Sequence, residues 1–325
     1  MILVTGATGM VGAHLLVKLL EQNQQIRAIY RSEEKIEALR KSILFDDKQE
    51  QFNRIDWIQA DIREVPALEK AFECVTEVYH CAGLISFTPK EYRALRTINI
   101  EGTANVVNFA IANKVDRLFF ISSIAALGPA NKEGFVDEKC YWNQEEDHSI
   151  YAITKYGAEM EVWRASQEGI PVIVVNPGVI FGTGVYSKSM EVFERVKKGL
   201  RYYTCGGSGF VSVTDVIDAL FFLKQKEAYN ERFVLVSENM SYKDMLTDVA
   251  SALGKTPPNK EIGKNILNIV RVLDVIKGVF TLGNRQFTKL TVTSLDEKSN
   301  YSSSKIKALG FTFKPMKEAI KSCAI

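Results

Sequence analysis

The sequence predicts an α/β protein: a Rossmann-type, doubly wound parallel sheet with a smaller, mostly helical C-terminal lobe. Two observations carry this. Over residues 1–176, short apolar runs rich in β-branched residues alternate with helical runs, and a glycine-rich turn joins the first strand to the first helix. The strand-like runs are nearly continuous in hydrophobicity, as strands covered on both faces are, and that is the habit of a parallel sheet.

The elements follow in order. MILVTG (1–6) is the first strand, and TGATGMVGAHLL (5–16) turns it into a helix over 10–23. QIRAIY (25–30) is the second strand and leads into a helix at 32–41; DWIQA (56–60) and EVYHCAG (77–83) are the third and fourth. A long helical stretch at 89–113 precedes RLFFISS (117–123), and a helix at 149–168 precedes PVIVVNPG (171–178). After Pro177 the rhythm changes. Loops with Gly and Ser (FGTGVYSKS, TCGGSGF) precede a helix at 214–226, a strand at 232–237 and a mostly helical tail. Residues 1–178 are therefore read as the nucleotide-binding domain and 179–325 as a smaller substrate lobe over the C-terminal edge of the sheet. Residues 210–237 are expected to return to the first domain.

Composition narrows the function. A chain of 325 residues, 46% hydrophobic and 25% charged, fits one large domain or two unequal ones of a soluble globular protein. The net charge of +2, without basic blocks, argues against nucleic acid as a partner. Cys74, Cys81, Cys140, Cys205 and Cys323 are odd in number and lack CxxC spacing, so reduced thiols and a cytoplasmic setting are expected. With only His14, His80 and His148, no metal centre is expected. The opening MILVTG shows no signal-peptide pattern. Arg271, Asp274 and Lys277 interrupt the most membrane-like segment, 265–283, which reads as a packed helix rather than a bilayer span.

Gly6, Gly9 and Gly12 are spaced three and three between strand and helix, a variant of the dinucleotide-binding glycine pattern. Glycine lets the backbone turn tightly and approach a pyrophosphate, whose charge meets free N–H groups and the helix dipole. Gly6, Thr8, Gly9, Met10, Val11 and Gly12 are the candidate phosphate contacts. At the end of the second strand an Asp or Glu would accept a ribose 2′-hydroxyl; here Tyr30 is followed by Arg31, Ser32 and, further on, Lys35. Arg31 offers a permanent charge in a planar fork suited to a 2′-phosphate. NADP(H) is preferred, with NAD(H) as the alternative. The competing reading is a solvated arginine opening a helix whose Glu33 and Glu34 suit its N-terminal dipole.

In HSIYAITKYGAE (148–159), Tyr151 and Lys155 stand four residues apart on one helical face, while the same spacing from Tyr156 reaches only Met160. A free tyrosine titrates near 10, and a neighbouring ammonium would bring it toward useful proton transfer. Such pairs also arise by chance on helices. Ser122 and Ser123 end the fifth strand at the edge where α/β sheets place ligands, although strand termination alone would also explain them.

Together, TGxxGxxG at 5–12, Asn99 in INIEGTANVV, SS before AALG, YAITK and NPG resemble the extended short-chain dehydrogenase/reductase family over nearly the whole chain. GFVSVTDVIDAL (209–220) and YSSSKIKALGF (301–311) are similar to its later landmarks. The resemblance implies Tyr151 as the acid that protonates a carbonyl oxygen, with Lys155 lowering its pKa and holding the nicotinamide ribose. It implies Ser123 as the group that orients the carbonyl, since the family's serine lies five residues before the glycine, here Gly128. It also implies Asn99 in a proton relay through water, adenine contacts at Asp61 and Ile62, and a cofactor border from His80 through Cys81, Ala82 and Gly83. Pro177 and Gly178 of the NPG landmark are candidate cofactor contacts. A homodimer through 89–113 and 149–168 is suggested by the resemblance alone.

Three branches are separated by what is missing. Dehydratases of the family have a Thr-Asp-Glu triplet where this chain has Ser123-Ile124-Ala125, and Arg31 sits poorly with an NAD-retaining epimerase. NPGVIFGTG (176–184) is similar to the dihydroflavonol-4-reductase and cinnamoyl-CoA-reductase-like branch, and SSIAALGP resembles the 3β-hydroxysteroid dehydrogenase branch. The expected activity is NADPH-dependent reduction of a ketone or aldehyde, so the partner is a small-molecule carbonyl or alcohol. A nucleotide-sensing or scaffolding protein that uses the fold without chemistry is the non-enzyme alternative. The loop 84–90, the segment 129–148 with Tyr141 and Trp142, and Tyr186 and Tyr203 are expected to close the pocket.

Overall fold

The computed structural model describes residues 1–184, 187–269, 274 and 288–324. A seven-stranded sheet forms the centre: β1 (Ile2–Thr5), β2 (Ile26–Tyr30), β3 (Asp56–Gln59), β4 (Glu77–His80), β5 (Arg117–Ile121), β6 (Val172–Pro177) and β7 (Glu231–Leu235). Its order is β7-β6-β5-β4-β1-β2-β3, and every neighbouring pair is parallel. Every residue of β1, β4 and β6 is buried, whereas β3, at one edge, is partly exposed. The apolar character of β1 and β6 follows from cover on both faces, while β4 carries the buried polar residues Glu77 and His80 at its ends. From β1 the chain winds outward to β2 and β3 and then returns to β4 on the other side. Strand order therefore reverses between β1 and β4, and the crevice outside their carboxyl ends is where such sheets bind ligands.

Helices cover both faces. On one, Met10–Glu21 and Val213–Gln225 bury Leu15, Leu19, Leu220 and Leu223 against the sheet. On the other, Gly102–Ala112 and Ile150–Gln167 bury Val106, Val107, Ala158 and Val162. Each such side chain contributes on the order of 1.5–3 kcal/mol by leaving water. The helix expected over 89–113 is broken into a 3-10 turn at Pro89–Glu91, an α-turn at Tyr92–Leu95, a π segment at Arg96–Glu101 and the helix proper from Gly102. A π segment is a feature that collects at functional sites.

Strand β7 and the helix before it join the main sheet from beyond residue 178. The remaining C-terminal residues surround a second core of Phe181, Phe193, Phe210, Val249, Met316 and Ile320. Beside the helices Lys188–Lys197, Tyr242–Ala252 and Met316–Ser322 there are short strands. Gly207–Ser212 pairs parallel with Val179–Phe181 and antiparallel with Glu238–Ser241, and Tyr202–Thr204 pairs with Lys260–Ile262. Residues 264–269 are helical; Tyr186 and, apart from Asp274, positions 270–283 of the segment 265–283 lie outside the described residues. No described helix is long and apolar enough to cross a membrane.

Candidate active site

The glycine turn needs its glycines. Gly6 has φ +66°, where a side chain is strained, and a Cβ there would also stand 2.6 Å from the Ala82 nitrogen after β4. A Cβ on Gly12 would strike the Gly6 carbonyl oxygen. Gly9 caps the helix Met10–Glu21 without a side-chain bond. The first N–H groups of that helix thus remain for an anion.

From this turn a cleft of about 230 Å³ runs across the switch point to the ends of β2 and β3. Gly6, Thr8 and Gly9 line one end, Cys81, Ala82, Gly83 and Leu84 one wall, and Tyr30, Arg31, Lys35, Asp61 and Ile62 the other end. Met10 and Val11 do not line it. The Met10 sulfur accepts from the Ser187 hydroxyl at 3.2 Å, and Val11 packs on the core. Pro177 and Gly178 also lie elsewhere, where β6 ends: Pro177 pairs with Leu235, and a Cβ on Gly178 would meet the Gly209 backbone.

At the β2 end, Asp61 accepts from Arg63 at 2.9 and 2.7 Å, and Arg31 stands 3.8 Å away with its side chain 55% exposed. Arg63 is the main cause holding the Asp61 carboxyl below the usual range. Glu33 and Glu34 occupy the first turn of the helix Glu33–Arg40, exposed to solvent and outside the cleft lining.

The chemistry-bearing side chains gather on the helix Ile150–Gln167. Ser149 caps it by accepting from the Ala152 N–H at 3.1 Å. Tyr151, Lys155 and Glu159 follow one another at a spacing of four, all buried against β5. Tyr151 faces Ser123 and meets the edge of the Phe87 ring at 5.5 Å. Burial pushes its phenol up to about 12, with Ser123 acting in the opposite direction. Lys155 donates to the Ile121 carbonyl at 2.8 Å and lies over the Phe120 ring at 4.3 Å. Burial lowers it to about 8, opposed by Glu159 and Cys81. Lys155 thus has one of its three donors on the strand, and burial holds the Tyr151 phenol in its protonated form.

The two serines divide their tasks. Ser122 donates to the Glu159 carboxylate at 2.6 Å. Ser123 turns the other way, accepting from the Ala125 N–H at 3.2 Å and meeting Tyr151. Asn99, in the π segment, is buried; it accepts from the Leu84 N–H at 2.7 Å and donates to the Leu84 carbonyl at 3.0 Å and the Thr154 hydroxyl at 3.1 Å. It ties the loop after β4 to the Tyr151 helix. His80 lies beneath, bonded to Thr5 at 2.6 Å and Thr103 at 2.9 Å, and burial lowers it to about 3. Tyr156 stacks on Trp142, which stacks on His148, while Tyr141 is 79% exposed.

Sequence reasoning placed Tyr151, Lys155 and Ser123 without reaching what supports them. Glu159, Asn176, Arg63 and Arg232 went unnoticed. Only Glu159 had a signal, as the next polar residue in the row of four-residue steps.

Residues 2–235 match the NAD dependent epimerase/dehydratase family. A putative dihydroflavonol 4-reductase of Synechocystis is 28% identical over 266 residues, 80% of this chain and 74% of that protein. A UDP-glucose 4-epimerase of Vibrio cholerae is 28% identical over 269 residues, 78% of this chain and 76% of that protein. The crystal structure of gox2253 superimposes with a TM-score of 0.80 at 24% identity, covering 99% of this chain and 96% of that one, and shares the fold.

Proposed function

The chain belongs to the NAD dependent epimerase/dehydratase family and is an NAD(P)-dependent oxidoreductase of the extended short-chain dehydrogenase/reductase type, and we propose that it reduces a ketone or aldehyde with NADPH. Identity does not separate this from epimerisation, because the reductase and epimerase relatives are equally distant at 28%. The observation that carries the proposal is the charge at the β2 end of the cleft. Arg31 follows Tyr30 there and Asp61 is already engaged by Arg63, an arrangement that suits the 2′-phosphate of a reducing cofactor better than an NAD-retaining epimerase.

The residues fit a dinucleotide. The glycine turn leaves backbone and helix N–H groups for the pyrophosphate, and the cleft leads to Arg31 and Lys35 with Asp61 already engaged by Arg63. That balance of charge favours a 2′-phosphate. When bound, the reduced nicotinamide supplies a hydride to the carbonyl carbon. Ser123 orients the carbonyl oxygen, and Tyr151 gives it the proton, so one hydride and one proton complete the alcohol. The Tyr151 phenolate left behind is stabilised by the Lys155 ammonium, whose bond to Ile121 leaves two of its three donors for the nicotinamide ribose and the phenolate. Water past the Asn99 side reprotonates Tyr151. The Asn99 side chain is committed to Leu84 and Thr154, so it holds the wall rather than carrying the proton. The substrate sits over the carboxyl edge, between the loop that bears Phe87 and the lobe 179–325.

The test is a panel of ketones and aldehydes incubated with NADPH deuterated at C4. The proposal predicts alcohol product with deuterium on the carbinol carbon. Inversion of a nucleotide sugar without net cofactor turnover, and no alcohol from any carbonyl, would contradict it.

A further inference from the structure

Glu159 is fully buried, carries no role in the chemistry above, and continues the Tyr151–Lys155 row by one helical turn. Four donors converge on it. Oε2 accepts from the Ser122 hydroxyl at 2.6 Å and the Asn176 amide at 2.9 Å; Oε1 accepts from Trp163 Nε1 at 3.3 Å and Arg232 Nη1 at 3.4 Å. Asn176 also donates to the Ser123 carbonyl at 3.0 Å. Arg232 further donates to the Glu138 carbonyl at 2.7 and 3.0 Å, in the segment 129–148. One carboxylate therefore fixes both ends of the Ser122–Ser123 pair and links them to the loop on the substrate side.

A buried carboxylate with one arginine at 3.4 Å is a costly arrangement if packing were its only purpose, since an apolar replacement of such a pair is often as stable. The cation that gains is Lys155. The groups facing Lys155 are Glu159 from its own helix, Cys81 and His80 from the end of β4, and the Phe120 ring and Ile121 carbonyl from β5. Cys81 is pushed up to about 12 and His80 down to about 3, each first by burial, so both are neutral at pH 7. Glu159 is the one carboxylate among these groups.

We propose that Glu159 is a positioning residue of the active site, which sets Ser123 in place through Ser122 and Asn176 and stands as a buried countercharge one helical turn from Lys155. The assignment rests on the reading of Tyr151 and Lys155 as the proton-transfer pair. It predicts that the buried row works as a unit: Tyr151 gives the proton, Lys155 steadies the phenolate, and Glu159 keeps Lys155 from shedding its proton into the apolar wall.

The experiment is a ¹³C NMR titration of lysine-labelled protein, with the Lys155 signal assigned by Lys155→Arg, run beside the pH profile of carbonyl reduction. Glu159→Gln keeps the shape and removes the charge. The Lys155 midpoint is expected to fall by about one pH unit or more, and the alkaline limb of kcat/KM to move with it. Ser122→Ala removes one hydrogen bond without a charge and is expected to leave the midpoint in place. Should Glu159→Gln not fold, Glu159→Gln with Arg232→Met removes both charges of the pair, a change buried ion pairs tolerate better, with the same downward shift expected. A Lys155 midpoint unmoved in the folded variant overturns the proposal. Full activity in Tyr151→Phe would instead overturn the reading on which it rests, because the Lys155 titration is independent of turnover.

Discussion

Ser122 donates to the buried Glu159 at 2.6 Å, while its neighbour Ser123 turns toward Tyr151. Adjacent residues of an extended strand end face opposite sides, so one hydroxyl reaches the site and the other its support. Ser123→Ala should lower kcat by roughly 10²–10³-fold, as losing a donor aimed at developing charge does, and should cost about 0.5–2 kcal/mol of stability through the lost cap on the Ala125 N–H. Ser122→Ala should cost about 1–3 kcal/mol of stability by leaving part of a buried carboxylate unsatisfied. Steady-state kinetics and urea unfolding of both variants separate the two.

His80 makes stability depend on pH. Its folded pKa, lowered chiefly by burial to about 3, lies below the ordinary 6.5. Between those values the unfolded chain binds a proton that the folded chain does not, so stability falls as the pH drops from 6.5 toward 3. The expected contribution is about 1.4 kcal/mol for each pH unit in that window. Urea unfolding at several pH values should show this slope in the wild type and its loss in a folded His80→Gln variant.

Arg31 is the exposed cation at the β2 end of the cleft, with only a 3.8 Å pairing to Asp61. NADPH should bind more tightly than NADH, and Arg31→Ala should remove most of that preference, about tenfold or more for a lost charge-assisted pair. Calorimetry with both dinucleotides gives the answer. Equal binding in the wild type would return the choice to NAD(H).

Much of the central fold was legible because its signals are local. β1, β4 and β6 are buried along their whole length and lie in runs rich in apolar residues, and the glycine turn marks where a dinucleotide could approach the backbone closely. That Tyr151 and Lys155 share one helical face was legible from their spacing, while the role given to them rests on the family resemblance. The short strands of the C-terminal lobe were not, since Tyr202–Thr204 and Lys260–Ile262 have three residues each and too little pattern to read. Nor was the π segment at Arg96–Glu101, which has no composition of its own. The partners of Glu159 come from β5, β6 and β7, and only the folded sheet brings them to one carboxylate.

The most direct test of the reductase assignment compares wild type and Tyr151→Phe in NADPH-dependent reduction of a carbonyl, with NADPH binding measured in parallel by fluorescence. Loss of a general acid predicts a fall in kcat of roughly 10²–10⁴-fold with cofactor binding unchanged. Activity retained without the hydroxyl would contradict the role given to Tyr151.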